Sequence, residues 1–307
     1  MGFFSTNHFD LGSMPDLSDK VALVTGGNTG LGYATCLELA RKNAQVFMAC
    51  RNEKKALEAI ECIKIETKNQ RVEYLSLDLA DSKSVVKMVK AFLDRDLPLN
   101  ILILNAGYMA NPFIADTFTT AGVETHFAIN VCGHFQLTRL LTSTLVDSAP
   151  ARVVVLSSVA HYMILPGGIQ YDRIHTGLTP GTAYGQSKLG NILLCKALAK
   201  RLEGKRVFVN AVHPGTANTD LFRDMTSIPL LGGLLSHLFY YTTTTAADGA
   251  LTSLYCAASD EIEENGYSGE YFVPHGQLST PSKIAQDPIE AEKLWDFVEK
   301  LVDRQIA

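Results

Sequence analysis

The chain has 307 residues, 27 Lys plus Arg against 32 Asp plus Glu, a net charge of −5 and 47% hydrophobic residues. That mix excludes disorder, collagen and coiled coil, and fits one α/β domain with appendages. Holding a nucleic-acid backbone needs clustered cations, and no Lys/Arg run is present, so no nucleic-acid partner is expected.

Six cysteines, at positions 36, 50, 62, 132, 195 and 256, form no C-x-x-C pair. Scattered thiols point to reduced core residues in a cytoplasmic protein, and no His/Glu or Cys cluster has metal spacing. The N-terminus, MGFFSTNHFD, lacks a basic segment followed by an apolar core, so no signal peptide is expected. Met1-Gly2 with Ser5 and Thr6 matches a myristoylation signal only superficially. The longest apolar stretch, residues 228–241, is broken by Gly232, Gly233, Ser236 and His237. It is too short for a membrane span of ~20 residues, so a soluble protein is expected.

Residues 1–19 are polar and irregular, a tail or clasp. From residue 20 the chain alternates apolar runs with helical patterns. Strands are predicted at 21–25, 45–50, 71–77, 100–104, 152–157, 207–212 and 266–273. Helices are predicted at 34–42, 53–68, 82–94, 122–145, 184–202 and 288–305. Strands separated by helices of ten or more residues imply βαβ crossovers. The near-continuous apolar strands imply a parallel sheet covered on both faces, a doubly wound Rossmann-type fold. Residues 220–245, apolar and rich in Leu, Thr and Gly, interrupt the alternation after the sixth strand and are expected to form a substrate lid.

Thr25-Gly26-Gly27-Asn28-Thr29-Gly30-Leu31-Gly32 joins the first strand to the first helix. Glycines permit a tight turn close to a pyrophosphate, and the helix N-terminus offers free N–H groups and a positive dipole end. No Lys-Ser or Lys-Thr follows, so this is not an ATP-binding loop. The second strand ends Ala49-Cys50-Arg51-Asn52, with no carboxylate for ribose hydroxyls. A guanidinium at Arg51 suits a ribose 2′-phosphate, which favours NADP(H) over NAD(H).

Tyr184 and Lys188 are four apart and share a helix face. A phenol of pKa ~10 is a poor base at neutral pH, and an adjacent ammonium lowers it toward working range. Ser157-Ser158 ends the fifth strand and Asn105-Ala106-Gly107 the fourth, at the carboxyl edge where α/β sheets bind ligands. Asn130, in the helix that follows, is a poor helix former at a position where a local purpose is expected.

With these motifs in order, the chain resembles the short-chain dehydrogenase/reductase family over residues 18–275. The resemblance implies a tetrad: Tyr184 as acid/base, Lys188 lowering its pKa and binding the nicotinamide ribose, Ser158 polarising the substrate oxygen, and Asn130 holding a relay water. It places Gly26, Asn28, Thr29, Gly30, Leu31 and Gly32 at the phosphates, and Asp78 and Leu79 near adenine. It sets Asn105, Ala106 and Gly107 along the cofactor, and Pro214, Gly215 and Thr219 at the nicotinamide end. Arg51 and Asn52 complete the cofactor set; homodimers or homotetramers through the long helices are implied, unless the tail caps those faces and leaves a monomer.

The gap of 26 residues from Ser158 to Tyr184, Cys50-Arg51-Asn52 and Val212-His213-Pro214-Gly215-Thr216 resemble the branch of retinol dehydrogenases and light-dependent protochlorophyllide reductases. That branch favours NADP(H) and bulky apolar substrates. Many retinol enzymes carry an apolar N-terminal anchor that MGFFSTNHFD does not match, which favours a soluble carbonyl reductase. His161 and Tyr162 are candidates to line the pocket, and His213 to buttress the loop. The alternatives are a dinucleotide-binding sensor or scaffold without chemistry, and a lyase or epimerase using bound cofactor.

Overall fold

In the computed structural model, which describes residues 9–110, 117–215 and 245–306, seven apolar segments pair in parallel. They are β1 (Val21–Thr25), β2 (Gln45–Cys50), β3 (Val72–Ser76), β4 (Ile101–Leu104), β5 (Ala151–Leu156), β6 (Val207–Val212) and β7 (Tyr271–Val273). A short β8 (Gln277–Ser279) turns back antiparallel to β7. The spatial order is β3-β2-β1-β4-β5-β6-β7-β8. The chain winds outward from β1 to β3, returns to lay β4 beside β1, and winds outward again. That reversal opens a crevice at the carboxyl ends of β1 and β4.

Nine α-helical segments are found among the described residues. They are α1 (Gly30–Arg41), α2 (Glu53–Thr67), α3 (Ser82–Leu93), α4 (Thr125–Phe127), α5 (His134–Asp147), α6 (Pro180–Arg201), α7 (Ala246–Ala258), α8 (Glu261–Glu264) and α9 (Pro288–Ile306). Alternate strand residues face opposite layers. Leu23, Phe47, Leu102 and Val153 pack with side chains of α3, α5, α6 and α9. Ala22, Val24, Met48 and Ile103 pack with those of α1, α2 and α7. The central strands β1, β4 and β5 are buried along their whole length and so read as apolar without alternation.

Local chemistry sets the helix starts. Asn52 accepts from Lys55 N at 3.0 Å to cap α2, and Pro180 opens α6, where its missing N–H costs nothing. The helix predicted over 122–145 does not run unbroken. Gly122 has φ +71°, the Glu124 carboxylate caps the amides of His126 and Phe127, and Ala128–Gly133 forms a π-helical turn before α5. At that turn Gly133 lies against the main chain of Leu79, whose carbonyl oxygen would sit 2.4 Å from any Cβ.

Residues 9–19 are not a loose tail: Met14 and Leu17 are buried, and the Phe9 ring meets Tyr255 edge-on at 5.4 Å. Of the expected lid, residues 220–244 lie outside the described residues, and Thr245 caps α7 through a reciprocal bond with Asp248. Helix α9 lies along α6, burying Leu294, Val298, Leu301 and Val302. Its flanks are tied by Arg201–Glu292 and Arg139–Asp303, both at 2.6 Å. Among the described residues no helix is long and apolar enough to cross a membrane, no His/Cys/Asp/Glu group could hold a metal, and all six cysteines are free.

Candidate active site

A cleft of about 280 Å³ opens at the reversal point. Its floor is the glycine turn and the start of α1. Gly26 and Gly30 adopt φ +66° and +55°, the left-handed region that suits glycine. Gly32 is packed so closely that a Cβ would lie 2.3 Å from Gly26 O and 2.4 Å from Asn105 Nδ2. Thr29 is the extended N-cap of α1 but makes no side-chain cap bond, so its hydroxyl and the first amides of α1 remain available. The Cys50 thiol lies beneath the turn, bonded by the amides of Gly26, Gly27 and Asn28; burial outweighs them and pushes it to about 11.

The second wall is the chain leaving β4. Asn105 Nδ2 donates to Thr25 O at 2.8 Å and to Gly26 O at 3.2 Å. Ala106 N donates to Thr25 Oγ1 at 3.0 Å. Further on, Asn130 clasps Tyr108: Oδ1 accepts from Tyr108 N at 2.7 Å and Nδ2 donates to Tyr108 O at 3.0 Å. The other hydrogen of Nδ2 goes to Ser187 Oγ at 2.9 Å. The Asn130 side chain is thus occupied with its neighbours, and only its main-chain carbonyl is left to meet a water.

Helix α6 supplies the third wall. Tyr184 is buried, with the Lys188 Nζ 5.6 Å from its ring centre. Burial pushes the phenol up to about 12 against a pull from its hydrogen bond to the Ser158 side chain. Lys188 Nζ donates to Leu156 O at 3.0 Å, and burial pushes this ammonium down to about 8. The two serines have different surroundings. Ser157 Oγ donates to Lys188 O at 2.7 Å, which locks β5 to α6. Ser158 is half-buried and faces the Tyr184 phenol.

The cleft gathers Gly26, Asn28, Thr29, Gly30, Leu31, Gly32, Asn105, Ala106, Gly107, Tyr184, Lys188 and Pro214. Gly215, with φ +86°, follows directly. Arg51, Asn52, Asp78 and Leu79 stand beyond the lining, at the carboxyl ends of β2 and β3. Arg51 is exposed and has no hydrogen bond or ion pair among the described residues. Asn52 Oδ1 is taken by the α2 cap, and Asp78 Oδ1 accepts from Ala80 N at 3.0 Å. Thr219 lies outside the described residues.

His161 does not line the cleft among the described residues. It is fully buried, with Nδ1 on Ser158 O at 2.7 Å and Nε2 accepting from Ser282 N at 3.1 Å. Tyr162 is exposed beside it, and burial pushes His213 down to about 4. Residues that motif reading missed are the buried pair Glu124 and His126 (2.6 Å) and His134. Only a Gly-His step at 133–134 could have drawn notice to the last.

These groups fit a dinucleotide. Free α1 amides, an unspent Thr29 hydroxyl and a turn closed to any Cβ at Gly32 suit a pyrophosphate.

The family model described as short chain dehydrogenase matches residues 20–173. Retinol dehydrogenase 12 of Mus musculus is 42% identical over 279 residues, spanning 90% of this chain and 84% of that protein. The chloroplastic short-chain dehydrogenase TIC 32 B of Brassica napus is 39% identical over 297 residues, spanning 94% and 90%. A crystal structure of a protein from Mycobacterium paratuberculosis superposes with TM-score 0.74 at 30% identity, covering 96% of this chain and 98% of that one. A short chain dehydrogenase from Shigella flexneri, solved complexed with NADP, shares the fold with TM-score 0.65 at 23% identity, covering 85% and 99%. The chain belongs to the short-chain dehydrogenase family of oxidoreductases.

Proposed function

We propose that this protein transfers a hydride between NADP(H) and the carbonyl or secondary alcohol carbon of a medium-to-large apolar small molecule, with Tyr184 as acid and base. The observation that carries the reading is the buried Tyr184 phenol, bonded to Ser158 and standing over Lys188 at the rim of a dinucleotide-shaped cleft.

The residues divide the work. The α1 amides, Asn28 and Thr29 would hold the pyrophosphate, Arg51 and Asn52 the 2′-phosphate end, and Asp78 and Leu79 the adenine. Asn105, Ala106 and Gly107 would line the cofactor's length, with Pro214, Gly215 and Thr219 at the nicotinamide. A nicotinamide dinucleotide bound there supplies or takes the hydride. Lys188 gives one N–H to Leu156 O and keeps two for a ribose hydroxyl or water. Ser158 orients and polarises the substrate oxygen, and Tyr184, neutral at pH 7, delivers its proton to that oxygen. The Asn130 main-chain carbonyl holds the water that returns the proton.

Exposed Val159, Tyr162, Met163 and Leu165 follow Ser158 directly and offer an apolar approach, which agrees with relatives named for retinol. The six free thiols support a reducing compartment such as the cytoplasm.

The test is NADPH absorbance with a panel of apolar aldehydes and ketones, alongside NADPH binding. Steady oxidation in the wild type is expected to fall about 10²–10⁴-fold in Tyr184→Phe with NADPH affinity kept. NADPH binding without turnover of any member of the panel would overturn the enzymatic reading and favour a nucleotide sensor.

A further inference from the structure

His134 is buried, next to Gly133, and takes no part in the roles assigned above. Its ring nevertheless touches both halves of the site. Nε2 lies 2.9 Å from Thr25 Oγ1, and Nδ1 lies 3.3 Å from the main-chain oxygen of Asn130. Thr25 Oγ1 is also the acceptor for Ala106 N, and Thr25 O accepts from Asn105 Nδ2.

The network selects one tautomer. Asn130 O can only accept, so Nδ1 carries the hydrogen, and Nε2 presents a lone pair. The Thr25 hydroxyl then donates to Nε2. Its other acceptor, Ile103 O, is 3.4 Å away, much the longer contact. The opposite tautomer would set a bare Nδ1 lone pair against a carbonyl oxygen. Burial holds the ring neutral by pushing it down to about 3, so this arrangement persists through the working pH range.

The backbone makes the Nδ1 contact consequential. In an α-helix the amide of residue 134 would serve the carbonyl of Asn130; here, at the end of the π turn, His134 N meets Val131 O instead. The imidazole Nδ1 is the side-chain donor that faces the Asn130 carbonyl.

We propose that His134 is a positioning residue with two separable duties: Nε2 holds Thr25, and through it the floor of the cofactor cleft, while Nδ1 aims the Asn130 carbonyl at the proton-relay water. The inference rests on the hydride-transfer reading above. It assigns cofactor affinity to one ring nitrogen and the proton step to the other.

Two conservative substitutions separate the duties. His134→Gln retains an acceptor at the reach of Nε2 and loses the donor at Nδ1. His134→Asn retains a donor at the reach of Nδ1 and loses the acceptor. NADPH Kd by fluorescence titration, kcat at saturating NADPH and melting temperature are measured for both. His134→Gln is expected to keep NADPH Kd within about twofold and lose about tenfold in kcat; His134→Asn is expected to weaken NADPH about fivefold and keep kcat within about threefold. Equal losses in both variants, or no loss in either, overturn the proposal and leave His134 a packing residue. The wild type separates the two readings: if it binds NADPH and turns over, a failure of the His134 pattern is a failure of this inference alone. If it binds without turnover, the hydride-transfer reading fails first.

Discussion

Two glycine substitutions in the same cleft should have opposite consequences. At Gly32 an added Cβ would lie 2.3 Å from Gly26 O and 2.4 Å from Asn105 Nδ2. Ordinary carbon–oxygen contact is about a full ångström longer, so the turn or Asn105 must move. Either movement breaks the Asn105 bonds to Thr25 O and Gly26 O, at about 0.5–1.5 kcal/mol each, and overpacking adds about 1–3 kcal/mol. Gly32→Ala is therefore expected to lose about 2–6 kcal/mol of stability. It should also weaken NADPH, because the turn and the α1 amides must move to make room for the methyl group. At Gly107 the nearest atoms to a Cβ are Lys188 Nζ at 3.7 Å and Asn130 Oδ1 at 3.9 Å, ordinary contact. Gly107→Ala should fold and melt like the wild type, and lose turnover because the methyl group stands over the lysine. Thermal unfolding, fluorescence titration of NADPH and steady-state NADPH oxidation read both. Wild-type NADPH affinity in Gly32→Ala would refute the placement of the pyrophosphate on this turn.

Arg51→Ala should raise KM for NADPH and leave KM for NADH unchanged. A charge-assisted contact is worth about 1.5–3 kcal/mol, and the exposure of Arg51 places the effect near the lower end, about tenfold; equal changes for both cofactors would refute it. His134 titrates near 3 when folded and near 6.5 when unfolded, so below pH ~6.5 the unfolded chain binds the extra proton and stability falls as pH drops toward 3. The loss approaches ~1.4 kcal/mol per pH unit, and denaturant midpoints between pH 6 and 4.5 should fall more steeply in the wild type than in His134→Gln. Because α9 covers α6 with Leu294 and Val298, the chain should run at single-chain mass in light scattering, and a dimer cross-linked through α6 would contradict this.

The fold was legible where burial leaves a mark on composition. Strands such as Val21–Thr25 and Ala151–Leu156 are buried along their whole length and read as unbroken apolar runs. The glycine turn was legible because Gly26 and Gly30 need positive φ and Gly32 tolerates no side chain. Helix α7 was not, because Gly249, Ala250 and the run from Thr252 to Ala258 are all buried, so no polar stripe marks a period. The π turn was hidden for a different reason. It is a change in hydrogen-bond register, bounded by the local Glu124 cap at one end and at the other by Gly133 packing on Leu79, a contact 54 positions apart that no local pattern shows. The role of His134 depends on Thr25, 109 positions away.

Tyr184 is where sequence and structure pull hardest against each other. From the spacing alone, Lys188 should lower the phenol pKa and make a base. In the folded chain Lys188 is itself buried and pushed down to about 8, its Nζ turned to Leu156 O, while the phenol goes up to about 12 with only Ser158 pulling it back. At pH 7 Tyr184 therefore rests as an acid. A resting acid suits reduction, in which the substrate oxygen must gain a proton as its carbon gains a hydride. Oxidation would need the phenolate first, and that form becomes tenfold scarcer with each pH unit below 12. Burial of the phenol is what keeps it protonated at pH 7.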